Sequence, residues 1–380
     1  MKAKLIWLLV ALVGAAGFET VNAIWLVVAA VSCFAISYRF YSKFIAERVF
    51  ELDDRRLTPA ERRNDGLDYV PTNKWVLFGH HFAAIAGAGP LVGPILAAQM
   101  GFLPGTLWIL VGVMLAGAVQ DFLVLFISSR RDGRSLGEIA RLELGPRVGV
   151  VVMLGALSVM IIILSALALI VVKALTQSPW GTFTILMTIP IALFMGIFMR
   201  FIRPGRIAGV SLIGFVLMMA AIVFGGDVAR SDYWGPIFTL TGPQLTLALV
   251  VYGFVASVLP VWLLLAPRDY LSTYLKIGTI VMLAAGIIFV QPTLLMEPIT
   301  KFVAGGGPII GGPVFPFLFI TIACGAISGF HAIIGTGTTP KMIGNERDVL
   351  FVGFGAMLME GFVAIMALIA ACTLVPADYF

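Results

Sequence analysis

The sequence predicts an all-α protein that crosses a membrane many times. Of its 380 residues, 60% are hydrophobic and 12% are charged, and the mean hydropathy is +1.03. Soluble globular domains are about 45–50% apolar and about 25% charged, so a soluble chain of this composition could not cover its surface with polar groups. Long apolar runs exclude disordered and collagen-like chains, and three cysteines do not make a disulfide scaffold. The remaining class is a polytopic membrane protein.

Eleven apolar runs are candidates for membrane spans, since a bilayer core of about 30 Å needs about 20 apolar helical residues. The first run follows Lys2 and Lys4 and is short, so a signal peptide is the alternative there. We expect one transmembrane domain over residues 1–380, with a cytoplasmic loop at 43–80 between the second and third spans. The runs are 5–18, 23–42, 82–100, 104–127, 149–172, 182–199, 207–224, 245–265, 275–290, 314–332 and 349–375.

The basic residues indicate the orientation. If the N-terminus is cytoplasmic and each run crosses once, 22 of the 25 Lys and Arg residues fall in cytoplasmic segments. Only Lys173, Arg230 and Lys301 fall on the other side. Cytoplasmic loops carry such an excess, so the sequence predicts eleven spans with the N-terminus inside and the C-terminus outside. The same scatter of charge between apolar runs argues against a nucleic-acid-binding face.

The third run has an unusual pattern, because residues 79–94 read GHHFAAIAGAGPLVGP. Two prolines four residues apart remove backbone donors, and the glycines make unwinding easier. Broken helices form substrate and ion sites in secondary transporters, whereas close packing through small residues is the alternative. The predicted substrate or ion pathway comprises Gly87, Gly89, Pro90, Gly93 and Pro94. The glycine spacing is not that of a phosphate-binding loop, and we find neither an HExxH motif nor a nucleophile elbow, so we expect no enzyme, cofactor or metal site.

Two carboxylates lie inside apolar runs, Asp121 in the fourth and Glu360 in the last. Acidic residues inside a membrane are costly, usually face a cavity or a partner, and often belong to proton pathways. We therefore predict that Asp121 and Glu360, with His331 in its glycine-rich surroundings, are proton-coupling residues. A structural hydrogen bond between helices is the alternative.

Further polar residues gather at the predicted cytoplasmic ends of spans. They suggest a gate or half-site on that side, with interfacial anchoring or, for Arg268 with Asp269, a local ion pair as the alternative. The residues are His80, His81, Arg268, Asp269, Thr338, Thr339 and Lys341.

The order of the runs suggests inverted repeats. The eighth run, five after the broken third, contains Pro260. An odd number of spans reverses orientation, so spans 3–7 and 8–12 would form inverted halves, of which this chain supplies spans 8–11 of the second.

Several motifs closely resemble the carbon starvation protein A family, and the likeness extends from about residue 23 to the last run. Residues 64–72 read NDGLDYVPT and residues 78–94 read FGHHFAAIAGAGPLVGP. Further matches are GAVQD at 117–121, RRDGRSLG at 130–137, RPGR at 203–206, LPVWLLLAPRDY at 259–270, IACG at 322–325 and TTPK at 338–341.

The resemblance implies a bacterial inner-membrane transporter used for peptide uptake during carbon starvation or, in close relatives, for proton-coupled pyruvate uptake. It also implies an inverted-repeat fold of the amino acid–polyamine–cation type. The expected partners are a peptide or pyruvate, a coupling proton and the lipid bilayer, and a homo-oligomer stays open. Members of the family are typically much longer. A non-transporting module is therefore the alternative, either a truncated half-transporter that needs further spans or a starvation sensor.

Overall fold

The computed structural model describes residues 21–202 and 207–380, and within these ranges the fold contains helices and two isolated bridges but no strand. The predicted first span, 5–18, and the RPGR motif lie outside the described residues. Seven described helices are long and apolar enough to cross a membrane, or eight if one bent pair counts as a single span. The all-α, polytopic membrane class is confirmed. The exact count of eleven spans stays a prediction, because only seven or eight described helices are long and apolar enough by this criterion.

The described α-helices, with their π-helical turns included and the short 3₁₀ turns left out, follow in chain order. They are α1 (Ile24–Val49), α2 (Pro59–Arg62), α3 (Lys74–Ile85), α4 (Gly89–Ala97), α5 (Phe102–Arg130), α6 (Leu136–Leu144), α7 (Pro146–Leu175), α8 (Pro179–Ile202), α9 (Ile207–Arg230), α10 (Trp234–Phe238), α11 (Gly242–Val258), α12 (Leu265–Val290), α13 (Val314–Thr321), α14 (Ala323–Ala326), α15 (Gly329–Gly335), α16 (Leu350–Cys372) and α17 (Pro376–Tyr379).

The third predicted span is broken into α3 and α4, which meet at an angle of 45°. The break lies at residues 86–88, and the Gly-Pro pairs that suggested it form the first turns of α4. Pro90 is in the first turn, where a proline loses no intrahelical hydrogen bond, which explains why α4 restarts there, whereas Pro94 lies inside the helix. The span begins at Lys74 and not at Phe82, so the connection after α1 runs from 50 to 73 and His80 and His81 lie inside α3.

A second interruption lies in the tenth predicted span, which consists of the three short helices α13, α14 and α15. Ile327 and Ser328 between α14 and α15 have extended backbone conformations. Pro260, by contrast, lies in the connection between α11 and α12 and interrupts neither helix. The expectation that Pro260 lies inside the eighth span is therefore wrong, and the correspondence between the third and eighth spans stays a prediction.

The two interrupted segments pack against each other and against α16, whose side chains are mostly buried. Glycines permit this close approach. A Cβ atom on Gly93 of α4 would lie 2.3 Å from the carbonyl oxygen of Thr321, and one on Gly117 of α5 would lie 2.3 Å from that of Ala326. Helix association in membranes depends on such small residues. The broken segments thus form the interior of the bundle, whereas α7 exposes most of its side chains.

Candidate functional site

A buried ionisable cluster lies where α5, α15 and α16 meet. The imidazole Nδ1 of His331 lies 2.9 Å from Oδ2 of Asp121, and its Nε2 lies 3.1 Å from Oε2 of Glu360. The first contact is an aligned hydrogen bond, and the second is within ion-pair distance without that alignment. The side chains of His331 and Glu360 have no exposed surface, and that of Asp121 is 1% exposed. The structure therefore brings the three predicted proton-coupling residues into one sealed group, which we call the triad.

The backbone around the triad is irregular on every contributing element. Asp121 follows a π-helical turn at Val113–Gly117, and Glu360 follows another at Leu350–Phe354. Such wide turns occur frequently at functional sites. His331 lies in the first turn of α15, and the side-chain amide of Gln120 donates to the carbonyl of Ser328 in the extended segment before that helix.

The triad has unused capacity for protons. Oδ1 of Asp121 and Oε2 of Glu360 are buried oxygens without an aligned hydrogen-bond donor. A buried polar atom without a partner is costly, and a carboxylic acid supplies its own donor. One imidazole between two carboxylates can therefore hold a varying number of protons with little movement of the side chains.

Cys324 joins the triad to a neighbouring cavity. Its thiol donates to Oε1 of Glu360 at 3.5 Å, and its Sγ lies 3.9 Å from Nε2 of His331. The sequence did not single out this cysteine, because nothing in the spacing showed that the kink before α15 returns the chain toward α14. Cys33 and Cys372 are buried elsewhere in the hydrophobic core.

Cys324, His331 and Glu360 are also close enough to hold a metal ion, since their ligand atoms all lie within 4.8 Å of one another. Each of these three side chains also has a partner within the cluster. Both ring nitrogens of His331 face carboxylates, and the thiol has Glu360 as its acceptor. A proton site therefore stays the prediction for this cluster.

The cavity, of about 730 Å³, lies between the two interrupted segments and α7. Gly87, Gly89 and Gly93 of the predicted pathway line it, together with Cys324 and Ser328. The other two predicted pathway residues, Pro90 and Pro94, are buried in helix packing and are not among its lining residues. The cavity is largely apolar, and the N-terminus of α4 opens into it.

The predicted half-site separates into several contacts. Nδ1 of His80 lies 2.9 Å from Oδ2 of Asp269, and Nδ1 of His81 lies 3.0 Å from the hydroxyl of Thr339. These two pairs link α3 to α12 and to the turn after α15.

The remaining half-site residues point elsewhere. The guanidinium of Arg268 lies over the ring of Tyr252, 4.5 Å from its centroid, so the proposed Arg268–Asp269 pair does not form. Lys341 lies over the ring of Tyr69, and the carbonyl of Thr338 accepts from the backbone of Lys341.

Comparison with known proteins gives one family. The model of the family described as "Carbon starvation protein CstA" matches residues 22–380. The chain is 62% identical to the peptide transporter CstA of Escherichia coli K12, covering 99% of this chain and 55% of that protein. It is 63% identical to the pyruvate/proton symporter BtsT of the same organism, over 95% of this chain and 51% of that protein. It is 52% identical to the peptide transporter CstA of Mycobacterium tuberculosis H37Rv, over 100% of this chain and 51% of that protein.

The chain thus spans about half the length of these curated relatives. No solved structure matches it.

Proposed function

Because this chain belongs to the carbon starvation protein CstA family, we propose that it is part of a proton-coupled secondary transporter that takes up peptides or pyruvate. The observation that carries the proposal is the sealed triad beside a cavity between two interrupted helices. Transporters bind their substrate and coupling ion near the middle of the membrane at such breaks. The names of two relatives, a peptide transporter and a pyruvate/proton symporter, supply the substrate classes.

The cavity offers a place for a carboxylate group, which pyruvate and peptides share. The N-terminus of α4 begins at Gly89, on the cavity wall. Pro90 has no N–H, and the N–H of Leu91 donates to the carbonyl of Ala88, so the N–H of Gly89 is the donor available at this end. The helix dipole favours an anion there. The substrate would thus bind at Gly87, Gly89 and Gly93, with Cys324 between it and the triad.

In this mechanism the triad binds the coupling proton. Protonation of His331 or of either carboxylate changes the charge of the sealed group, and its contacts join α5, α15 and α16. Because α15 follows the cavity wall at Ser328 and Gly329, a change in these contacts alters the second interrupted segment directly. The pairs His80–Asp269 and His81–Thr339 would form the gate on the cytoplasmic side.

The number of membrane crossings, the orientation and the fold type are part of the same proposal. We infer eleven crossings with the N-terminus inside, an inverted-repeat fold of the amino acid–polyamine–cation type, and the bacterial inner membrane as the location. The excess of basic residues in the predicted cytoplasmic segments supports the orientation even without Lys276, which lies inside α12, and the two interrupted helices support the transporter class.

The test is uptake of labelled pyruvate, and separately of a labelled dipeptide, into proteoliposomes that contain this chain. An inward proton gradient is imposed, and protein-free vesicles are the control. We expect accumulation that collapses when a protonophore is added. Without accumulation of either substrate, the same assay on a full-length relative distinguishes a half-transporter from a membrane module that does not transport.

A further inference from the structure

A lysine from α12 holds the broken end of α3. The Nζ of Lys276 donates to the carbonyl oxygen of Ala83 at 2.8 Å and to that of Ala86 at 2.9 Å. Both carbonyls lie at the C-terminal end of α3, next to the break, and neighbouring residues 84, 85 and 87 line the cavity. Lys276 is the twelfth residue of α12, so its side chain projects from the middle of a spanning helix and not from its first turn.

These carbonyls need a donor because the helix stops inside the membrane. The amide of Gly87, which a continuous helix would direct to Ala83, donates instead to the carbonyl of Ile85. Carbonyls at a helix end have no intrahelical donor, and an unsatisfied one is costly in lipid. The same end carries the negative pole of the helix dipole, so a cation stabilises it.

Lys276 is the last of three polar contacts between α12 and α3. One turn before it, the hydroxyl of Thr273 donates to the carbonyl of Gly79 at 2.7 Å, and one turn further back Asp269 pairs with His80. The three residues lie at positions i, i+4 and i+7, hence on one face of α12. This row of contacts attaches α3 to α12 along its length, and Lys276 attaches the free end at the cavity.

We propose that Lys276 is a positioning residue for transport, a built-in cation that fixes the end of α3 at the break and so sets the shape of the cavity wall. The part that concerns transport rests on the proposed function. The part that concerns the break is independent of any substrate.

The test compares Lys276→Met, which keeps the length of the side chain but cannot donate, with the wild-type chain. Lys173→Met is the matched control, because Lys173 is an exposed lysine in the last turn of α7. Amide hydrogen exchange of peptides covering residues 80–92 is measured in nanodiscs, with the thermal unfolding midpoint. The initial rate and apparent KM of uptake are measured in proteoliposomes.

We expect Lys276→Met to speed exchange at residues 83–88 by about tenfold or more, the change that corresponds to losing charge-assisted hydrogen bonds. We expect a fall of about the same size in the maximal uptake rate, with an unchanged exchange pattern in α5 and α16. Lys173→Met should behave as wild type in both measurements.

Two results overturn the proposal. Unchanged exchange at residues 83–88 would show that Lys276 does not hold the break, whether or not the wild-type chain transports. Faster exchange with an unchanged uptake rate would show that holding the break is irrelevant to transport. If the wild-type chain alone accumulates no substrate, the proposed function depends on the assay of the full-length relative, and the exchange measurement still decides whether Lys276 fixes the break.

Discussion

Replacing Glu360 with glutamine removes one charge from the triad while keeping the size of the side chain. The amide can still contact Cys324 and His331, so the packing of α16 is preserved. What is lost is a carboxylate that can take up and release a proton. Glu297→Gln is the matched control, because that glutamate is exposed in the segment between α12 and α13.

The structure sets the expected magnitudes. His331 keeps Asp121 as an aligned partner, so the variant lacks one of two charged contacts at a fully buried site. Losing a hydrogen-bonding or ionic contact to a charged group costs about 1.5–3 kcal/mol, which lowers the melting temperature by a few degrees without unfolding the chain. The expected effect on proton-coupled accumulation is larger than the effect on stability. With one proton per substrate, a gradient of one pH unit supports about tenfold accumulation, which falls to about onefold when the proton no longer participates.

The assay separates coupling from substrate movement. Gradient-driven accumulation of labelled substrate is compared with counterflow, in which labelled and unlabelled substrate exchange without a proton gradient. Glu360→Gln should lose accumulation and retain counterflow, whereas Glu297→Gln should keep both. Accumulation by Glu360→Gln at the wild-type level would refute a proton-carrying role for the triad.

Three other predictions test the surroundings of the site. Gly93→Ala places a Cβ against the carbonyl of Thr321 and should destabilise the chain by about 1–3 kcal/mol in thermal unfolding, whereas Gly87→Ala meets open space and should cause no steric cost. A small methanethiosulfonate reagent should react at Cys324 and block uptake; substrate should slow the reaction, and Cys324→Ser should abolish the block. Slight burial of Asp65 raises its pKa, but three following backbone N–H groups donate to its carboxylate, and the net pKa lies below the usual value. Its stabilising effect is therefore complete above about pH 4 and is lost as the pH falls through the folded-state pKa, so Asp65→Asn should lower the melting temperature at pH 7 but not in strong acid.

Local chemistry made part of the site predictable. Asp121, His331 and Glu360 were recognisable because each is polar inside an apolar run, where burial is expensive. Their mutual contact was not recognisable, since 210 residues separate Asp121 from His331 and only the packing of three helices joins them. The break near Gly89 was also predictable, because proline and glycine weaken a helix locally. The kinks between α13, α14 and α15 were not predicted, and these short helices pack against α4 and α16.

Lys276 shows where the sequence misleads. The predicted ninth span began at residue 275, so Lys276 was counted among the cytoplasmic basic residues. Helix α12 in fact begins at Leu265, and the lysine lies well inside it. Hydropathy identifies the apolar part of a helix and not its polar first turns. In the sequence alone, a lysine that donates hydrogen bonds to the carbonyls of another helix cannot be told from a lysine at the end of a span.

The complete burial of the triad has a kinetic consequence. A side chain without exposed surface exchanges protons with bulk water only while the surrounding helices are open, and such collective motions take microseconds to milliseconds. Opening, and not the collision of a proton with the site, therefore limits how often the triad can be loaded. The pH of the medium then sets the fraction of openings that load a proton, while the stiffness of the bundle sets their frequency. A solvent isotope effect on turnover would accordingly be small, and variants that loosen the packing of α16 would change the rate without changing the coupling ratio.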